Sequence, residues 1–136
     1  RYLEAIQPEP TLMGRDAFEL GHIAMRNRHI ETELWSQVGV SWVNGPIVAA
    51  MGIFKQIPAA KEASDVNVNT YYERIDRELG ESAYIAGDRF TIVDITLLTA
   101  VDFATSLVGL KPAESLANLW RWHALVCERE SVDVQD

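Results

Sequence analysis

Apolar residues recur at helical spacing along most of the chain, and the gaps between those runs hold the proline and glycine that stop helices. The strongest signal lies between Ala86 and Ala104. Thr91, followed three residues later by Asp94, reads as a capping box with a shortened acidic partner. The hydroxyl can accept from a first-turn N–H while the carboxylate reaches back to the cap's own N–H. Phe90 before the cap and Ile95 after it are placed for a hydrophobic staple. Ile92, Val93, Leu97, Ala100, Val101, Phe103, Ala104, Leu107 and Val108 then make the following helix apolar around more than half its circumference. That pattern predicts a central, buried element.

The other elements take their places around it. Arg1 to Ile6 reads as the last turns of a helix whose beginning lies outside these residues, and QPEPTLMG (7–14) as a linker. A long helix is predicted from Asp16 to about Trp42, with Leu20, Ile23, Ile30, Leu34, Val38 and Trp42 on one face. Gly21 and Gly39 weaken it and invite bends or close approaches. Asn44, Gly45 and Pro46 break it, and the apolar stretch to about Ala63 is expected to be irregular because of Gly52 and Pro58. A further helix is predicted over about Ser64 to Leu79, burying Val68, Tyr71, Tyr72, Ile75 and Leu79 and stopping at Gly80. GLKP (109–112) turns the chain into a last helix, about Glu114 to Arg129, burying Leu116, Leu119, Trp120, Trp122, Val126 and Cys127, before a frayed SVDVQD tail. With no alternating strand pattern and no repeat, the expected architecture is all-α: a bundle of about four main helices around the central one.

Composition narrows the function. A chain of 136 residues, 48% hydrophobic, can bury a core of its own. Its net charge of −8 argues against nucleic acid or an anionic membrane as partner, since both need concentrated positive charge. No apolar run is long enough to span a bilayer. One cysteine, Cys127, cannot form an internal disulfide, which fits a reducing, cytoplasmic setting.

Chemistry-bearing residues are few. His22 and His29 stand seven apart on one helix, too far for the i, i+4 spacing of a helical metal pair, so no metal site is expected. His123 falls in the apolar stripe of the last helix and reads as a hydrogen-bonded core residue, and Cys127 as a buried, inert thiol. Asn27 and Glu31 lie one turn apart on an otherwise apolar face. They imply a satisfied buried network, Glu31 accepting from an arginine of another helix or subunit, or else a cleft wall. Asp102 in mid-helix poses the same question. Ser41, Trp42 and Asn44, with the apolar loop after them, form the best cleft candidate by composition.

These segments together resemble the C-terminal helical domain of a cytosolic glutathione transferase. The likeness rests on RYLE followed by P-x-P-T-L-x-G (Arg1 to Gly14), RNRHIE (Arg26 to Glu31), YIAGDRFTIVDI (Tyr84 to Ile95) and NLWRWH (Asn118 to His123). AVDFA, the GLKP turn and RWH are similar to an atypical bacterial and fungal subgroup. The resemblance implies a subunit in two parts. A thioredoxin-like domain binds glutathione, and residues 1–14 would be the end of its last helix plus the linker. Residues 15–136 would be the helical domain, supplying the pocket for an apolar electrophile and a homodimer interface. Glutathione would be the co-substrate, held mainly by the domain absent here, so its site is incomplete in these residues.

In the atypical subgroup a serine and a histidine near the end of the long helix hold an activating water. Ser41 matches the serine; Asn44 stands where the histidine would fall, and asparagine can hold a water but cannot act as a base near neutral pH. The expected pocket is Ser41, Trp42 and Asn44 with Ile47 and Phe54. Two other readings remain: a non-catalytic assembly module, and a carrier of apolar ligands.

Overall fold

The computed structural model describes residues 2–132; the expectations for Arg1 and for the end of the tail fall outside them. In chain order the helices are α1 (Tyr2–Ile6), α2 (Ala17–His29), α3 (Ser36–Val43), α4 (Pro46–Met51), α5 (Pro58–Leu79), α6 (Ile92–Phe103) and α7 (Ala117–Cys127). No strand occurs among the described residues beyond an isolated bridge between Tyr84 and Gly87. The fold is all-α, as the pattern predicts.

The long helix forms with its predicted limits but carries a π segment, Ile30–Trp35, that joins α2 to α3. There the Ser36 N–H donates to the carbonyl of Glu31, five residues back rather than four. Its distortion lies in this segment and not at Gly21 or Gly39, whose surroundings are open. Asp16 caps the start, its Oδ1 accepting from Glu19 N at 2.9 Å. Gly14 (φ +134°) lies so close against this turn that a Cβ there would meet Leu20 N at 2.6 Å. A second π segment, Ala104–Val108, extends α6 and ends at Gly109, whose φ of +81° reverses the chain.

Two expectations are corrected. The stretch after Pro46 is not irregular throughout: Pro46–Met51 is helical, and α5 begins at Pro58, six residues earlier than predicted. Each proline stands in the first turn, where its missing N–H has no partner to lose and its fixed φ suits the helix. The α5 entry is held by Asn44, whose Oδ1 accepts from Ile57 N at 2.7 Å. At the other end, α7 spans only 117–127, and Trp120 and Cys127 are half-buried rather than core.

Four walls enclose one core. α2 and its π segment pack on α6, α3 on α5, and α7 on both α5 and α6. Leu34, Val38, Val68, Tyr72, Val93, Leu97, Leu119, Trp122 and Val126 are fully buried between them. Ion pairs brace the outside: Arg26 of α2 with Glu78 of α5, and Arg74 with Glu33 at 2.5 Å.

The capping box forms: Thr91 Oγ1 accepts from Val93 N, and Asp94 Oδ2 accepts from Thr91 N at 2.9 Å. Asp94 also does something the sequence hides. Its Oδ1 accepts from Ile85 N at 3.1 Å and from the Trp122 indole at 2.8 Å, so one buried carboxylate fastens the α5–α6 connection and α7 to the head of α6. Phe90 packs edge-on against Tyr84, 6.2 Å between centroids, and beneath the Arg129 guanidinium at 3.9 Å. Ile95 is half-buried beyond it.

Candidate functional site

Helical spacing predicts that side chains three, four and seven apart share a face. On the long helix this line runs through Leu20, Ala24, Asn27, Glu31 and Trp35. On α6 it runs through Ile92, Thr96 and Phe103. The two faces meet, since α2 and its π segment pack against α6. At the lower end lies a cavity of about 500 Å³ with Leu20, Ile23, Ala24 and Ile92 as its apolar floor. Glu4 and Met13, from α1 and the linker, close one side, and Asn27, Arg28 and Glu31 the other.

Asn27 and Glu31 bond to each other and line this cavity, but they are half-buried rather than the buried pair expected. Asn27 Nδ2 donates to Glu31 Oε1 at 2.7 Å, and Thr96 Oγ1 donates to Asn27 Oδ1 at 2.6 Å across the groove. The arginine paired with Glu31 is not from another helix, as expected, but Arg28 on its own, at 2.9 Å. Glu4 braces the cavity's far side by accepting from Leu12 N at 3.0 Å, Met13 N at 3.1 Å and the Thr11 hydroxyl. These bonds, the hydroxyl's foremost, hold its carboxyl below the usual range.

At the upper end stands an aromatic trio. Phe103 lies between Trp35, 5.6 Å away at 52°, and Trp42, 5.4 Å away at 71°. Such tilted and edge-on pairs are the favoured ring arrangements. All three rings are half-buried, so they form a wall with an open side rather than a sealed core. Trp35 closes the first π segment and Phe103 immediately precedes the second. π segments occur disproportionately at functional sites.

Of the expected pocket residues, Trp42 packs on Phe103 in this trio, and Ser41, Asn44, Ile47 and Phe54 are not part of it. Ser41 is fully buried; its hydroxyl donates to Asp65 Oδ1 at 2.5 Å and accepts from Lys61 Nζ at 3.2 Å, stitching α3 to α5. Asn44 is occupied by Ile57 N and by the Val40 carbonyl, to which its Nδ2 donates at 2.9 Å. Ile47 and Phe54 are 41% and 57% exposed, and neither they nor the rings of the trio line the described cavities. Trp35, Thr96 and Phe103 are not among the expected site residues. Half-burial and burial look alike in an apolar run, and only the recurrence of Phe103 seven residues after Thr96 marks a shared face. Among the described residues no group of three or more His, Cys, Asp or Glu side chains is placed to hold a metal ion. No helix among them is long and apolar enough to cross a membrane.

A family model described as the glutathione S-transferase C-terminal domain matches residues 40–130. The chain belongs to that family. It is 30% identical over 136 residues to Glutathione S-transferase 2 of Saccharomyces cerevisiae, an alignment covering 96% of this chain and 56% of the relative. The helical domain thus spans about half the length of that curated relative. Among solved structures it is similar to Gtt2 from Saccharomyces cerevisiae (30% identity, TM-score 0.83, covering 96% of this chain and 63% of that one). It is similar also to a Gtt2-class glutathione S-transferase of Vibrio parahaemolyticus (26% identity, TM-score 0.83, 98% and 61%). A glutathione S-transferase domain-containing protein of Marinobacter aquaeolei VT8 is likewise similar (28% identity, TM-score 0.83, 96% and 64%).

Proposed function

We propose that this chain is the electrophile-binding helical domain of a glutathione transferase, working with a thioredoxin-like domain of the same parent chain that holds glutathione. The observation that carries the reading is the half-buried aromatic trio Trp35–Phe103–Trp42 at the paired π segments. In the reaction a glutathione thiolate attacks an electrophilic centre. The groove's part is to strip water from an apolar substrate and hold it in line, a contribution that positioning alone can make large. In this reading residues 1–14 end the preceding domain and residues 15–136 form the helical one. The preceding domain seats at the cavity walled by Glu4 and Met13, and the parent is a cytoplasmic homodimer acting on toxic electrophiles.

Titration with 1-chloro-2,4-dinitrobenzene, followed by tryptophan fluorescence, tests the groove. Saturable quenching is expected, weakened in Phe103→Ala, while glutathione alone leaves the signal unchanged. Equal quenching in the variant, or a full-length parent inactive with glutathione on several electrophile classes, would refute the reading. One feature favours a second reading, a non-catalytic assembly module: Ile47, Met51, Ile53, Phe54 and Ile57 are all exposed apolar residues within one short stretch. A stable macromolecular partner found by size exclusion and pull-down without glutathione would support it.

A further inference from the structure

Away from the groove, three side chains form a chain of contacts. Cys127, half-buried on α7, has its Sγ 3.6 Å from His123 Nδ1, one turn back on the same helix. His123 Nε2 lies 2.8 Å from Asp102 Oδ1 on α6. A carboxylate can only accept, so Nε2 carries the ring proton and donates to Asp102. In the neutral ring Nδ1 is then an acceptor facing the thiol. Trp120 and Trp122 pack edge-on against the imidazole at 5.5 and 6.4 Å, fixing its plane. The order of groups is nucleophile, base, orienting carboxylate, and such arrangements are recognised by geometry and roles rather than by sequence position.

We propose that Cys127 is a thiol–disulfide exchange site for small disulfides, with His123 as its general base and Asp102 as a positioning residue. The thiol gives its proton to His123 Nδ1 as Sγ attacks one sulfur of the disulfide. A mixed disulfide forms as the original S–S bond breaks, and the departing thiolate takes the proton back from the imidazolium. Cys127 is oxidised, half of the disulfide is reduced, and nothing else is consumed. Burial, then the charge of Asp102, pushes the Cys127 thiol above its ordinary range, so it rests as a neutral thiol and not as a standing thiolate. That favours a partner whose leaving group can reclaim the proton, which a disulfide provides. The groups facing the imidazole are Asp102 from α6 and Cys127 from α7, while Lys111, in the turn before α7, lies over Trp120 at 5.5 Å.

The sequence holds no other cysteine, so intact-mass measurement of adduct formation with glutathione disulfide reports on this position alone. The decisive variant is Asp102→Asn, at a side chain 51% exposed and hence tolerant of change. If the thiol were merely a buried cysteine, removing that negative charge would ease its ionisation and speed the reaction. The relay requires the opposite, a slowing of about 10-fold or more as the base loses its orientation. The wild-type rate should stay flat instead of climbing through the free-thiol range near ~8.5. His123→Gln should restore that climb. An unchanged or faster Asp102→Asn, or an unreactive wild type whose unfolded chain is readily modified, overturns the proposal.

Discussion

Removing the carboxylate of Asp94 should cost far more than removing an ordinary helix cap. The side chain is fully buried and accepts from Thr91 N, Thr91 Oγ1, Ile85 N and Trp122 Nε1. Asp94→Ala leaves three N–H donors facing a cavity that offers them nothing. Each buried donor left unmade costs about 1–3 kcal/mol, which puts the total at about 3–6 kcal/mol if they share some relief. Against a domain stability of about 5–15 kcal/mol that approaches unfolding, so Asp94→Asn should be measured beside it. The amide keeps one acceptor oxygen and points an NH₂ at the other donors, for about half the loss. Thr91→Ala removes the cap and one of the four donors to Asp94 but leaves the three N–H donors satisfied, for about 1 kcal/mol. Urea unfolding followed by far-UV circular dichroism gives all three, and the indole N–H resonance of Trp122 should shift in Asp94→Asn. If Asp94→Ala and Thr91→Ala differed by less than about 0.5 kcal/mol, the carboxylate would not be tying three elements together.

Other perturbations should separate structure from site. Asn44→Ala should lower the unfolding midpoint by an amount corresponding to about 1 kcal/mol yet leave dinitrobenzene quenching unchanged, because its oxygen holds the start of α5. Ser41→Ala should behave alike, its hydroxyl being enclosed between Asp65 and Lys61; altered quenching in either would return them to the groove. Glu19 is bonded by Arg15, foremost, and by Arg89, and its carboxyl is pulled from 4.5 down to about 2. A lowered folded value means stabilisation that is complete above the unfolded value and lost as pH falls through the folded one. Glu19→Gln should therefore melt below wild type at neutral pH, with the gap closing as pH falls from 4.5 toward about 2; a constant gap would contradict the pairing.

Local signals in the sequence were reliable where local chemistry decides the outcome. The cap at Thr91, the stop at Gly109 and the faces of α5 follow from spacing alone. Pro58 misleads as a breaker, although in a first turn it is a starter, and the group that holds that turn is Asn44, 13 residues before Ile57. The bond from Trp122 to Asp94 spans 28 residues and leaves no trace in any window. The groove was the hardest part to see. Ser41 and Asn44 looked functional because small polar groups beside an aromatic suit a pocket, yet each was already engaged in joining α3 to α5. Phe103 reads as core because nothing in composition separates a half-covered ring from a covered one, and Trp35 falls off the apolar face that spacing picks out.

The two π segments make the protein's history and its engineering easier to imagine. Each behaves as one surplus residue lodged within an otherwise regular helix. The surplus is absorbed within the segment, so the side chains inside it are re-aimed while the helix on either side keeps its faces. Excising one residue from 30–35 would return the long helix to an ordinary winding, and Trp35, inside the segment, would lose its aim at Phe103 while Trp42, beyond it, would keep its place. A shape of this kind can be redirected by the length of a helix alone, which gives related domains a way to present different walls to their ligands on an unchanged frame.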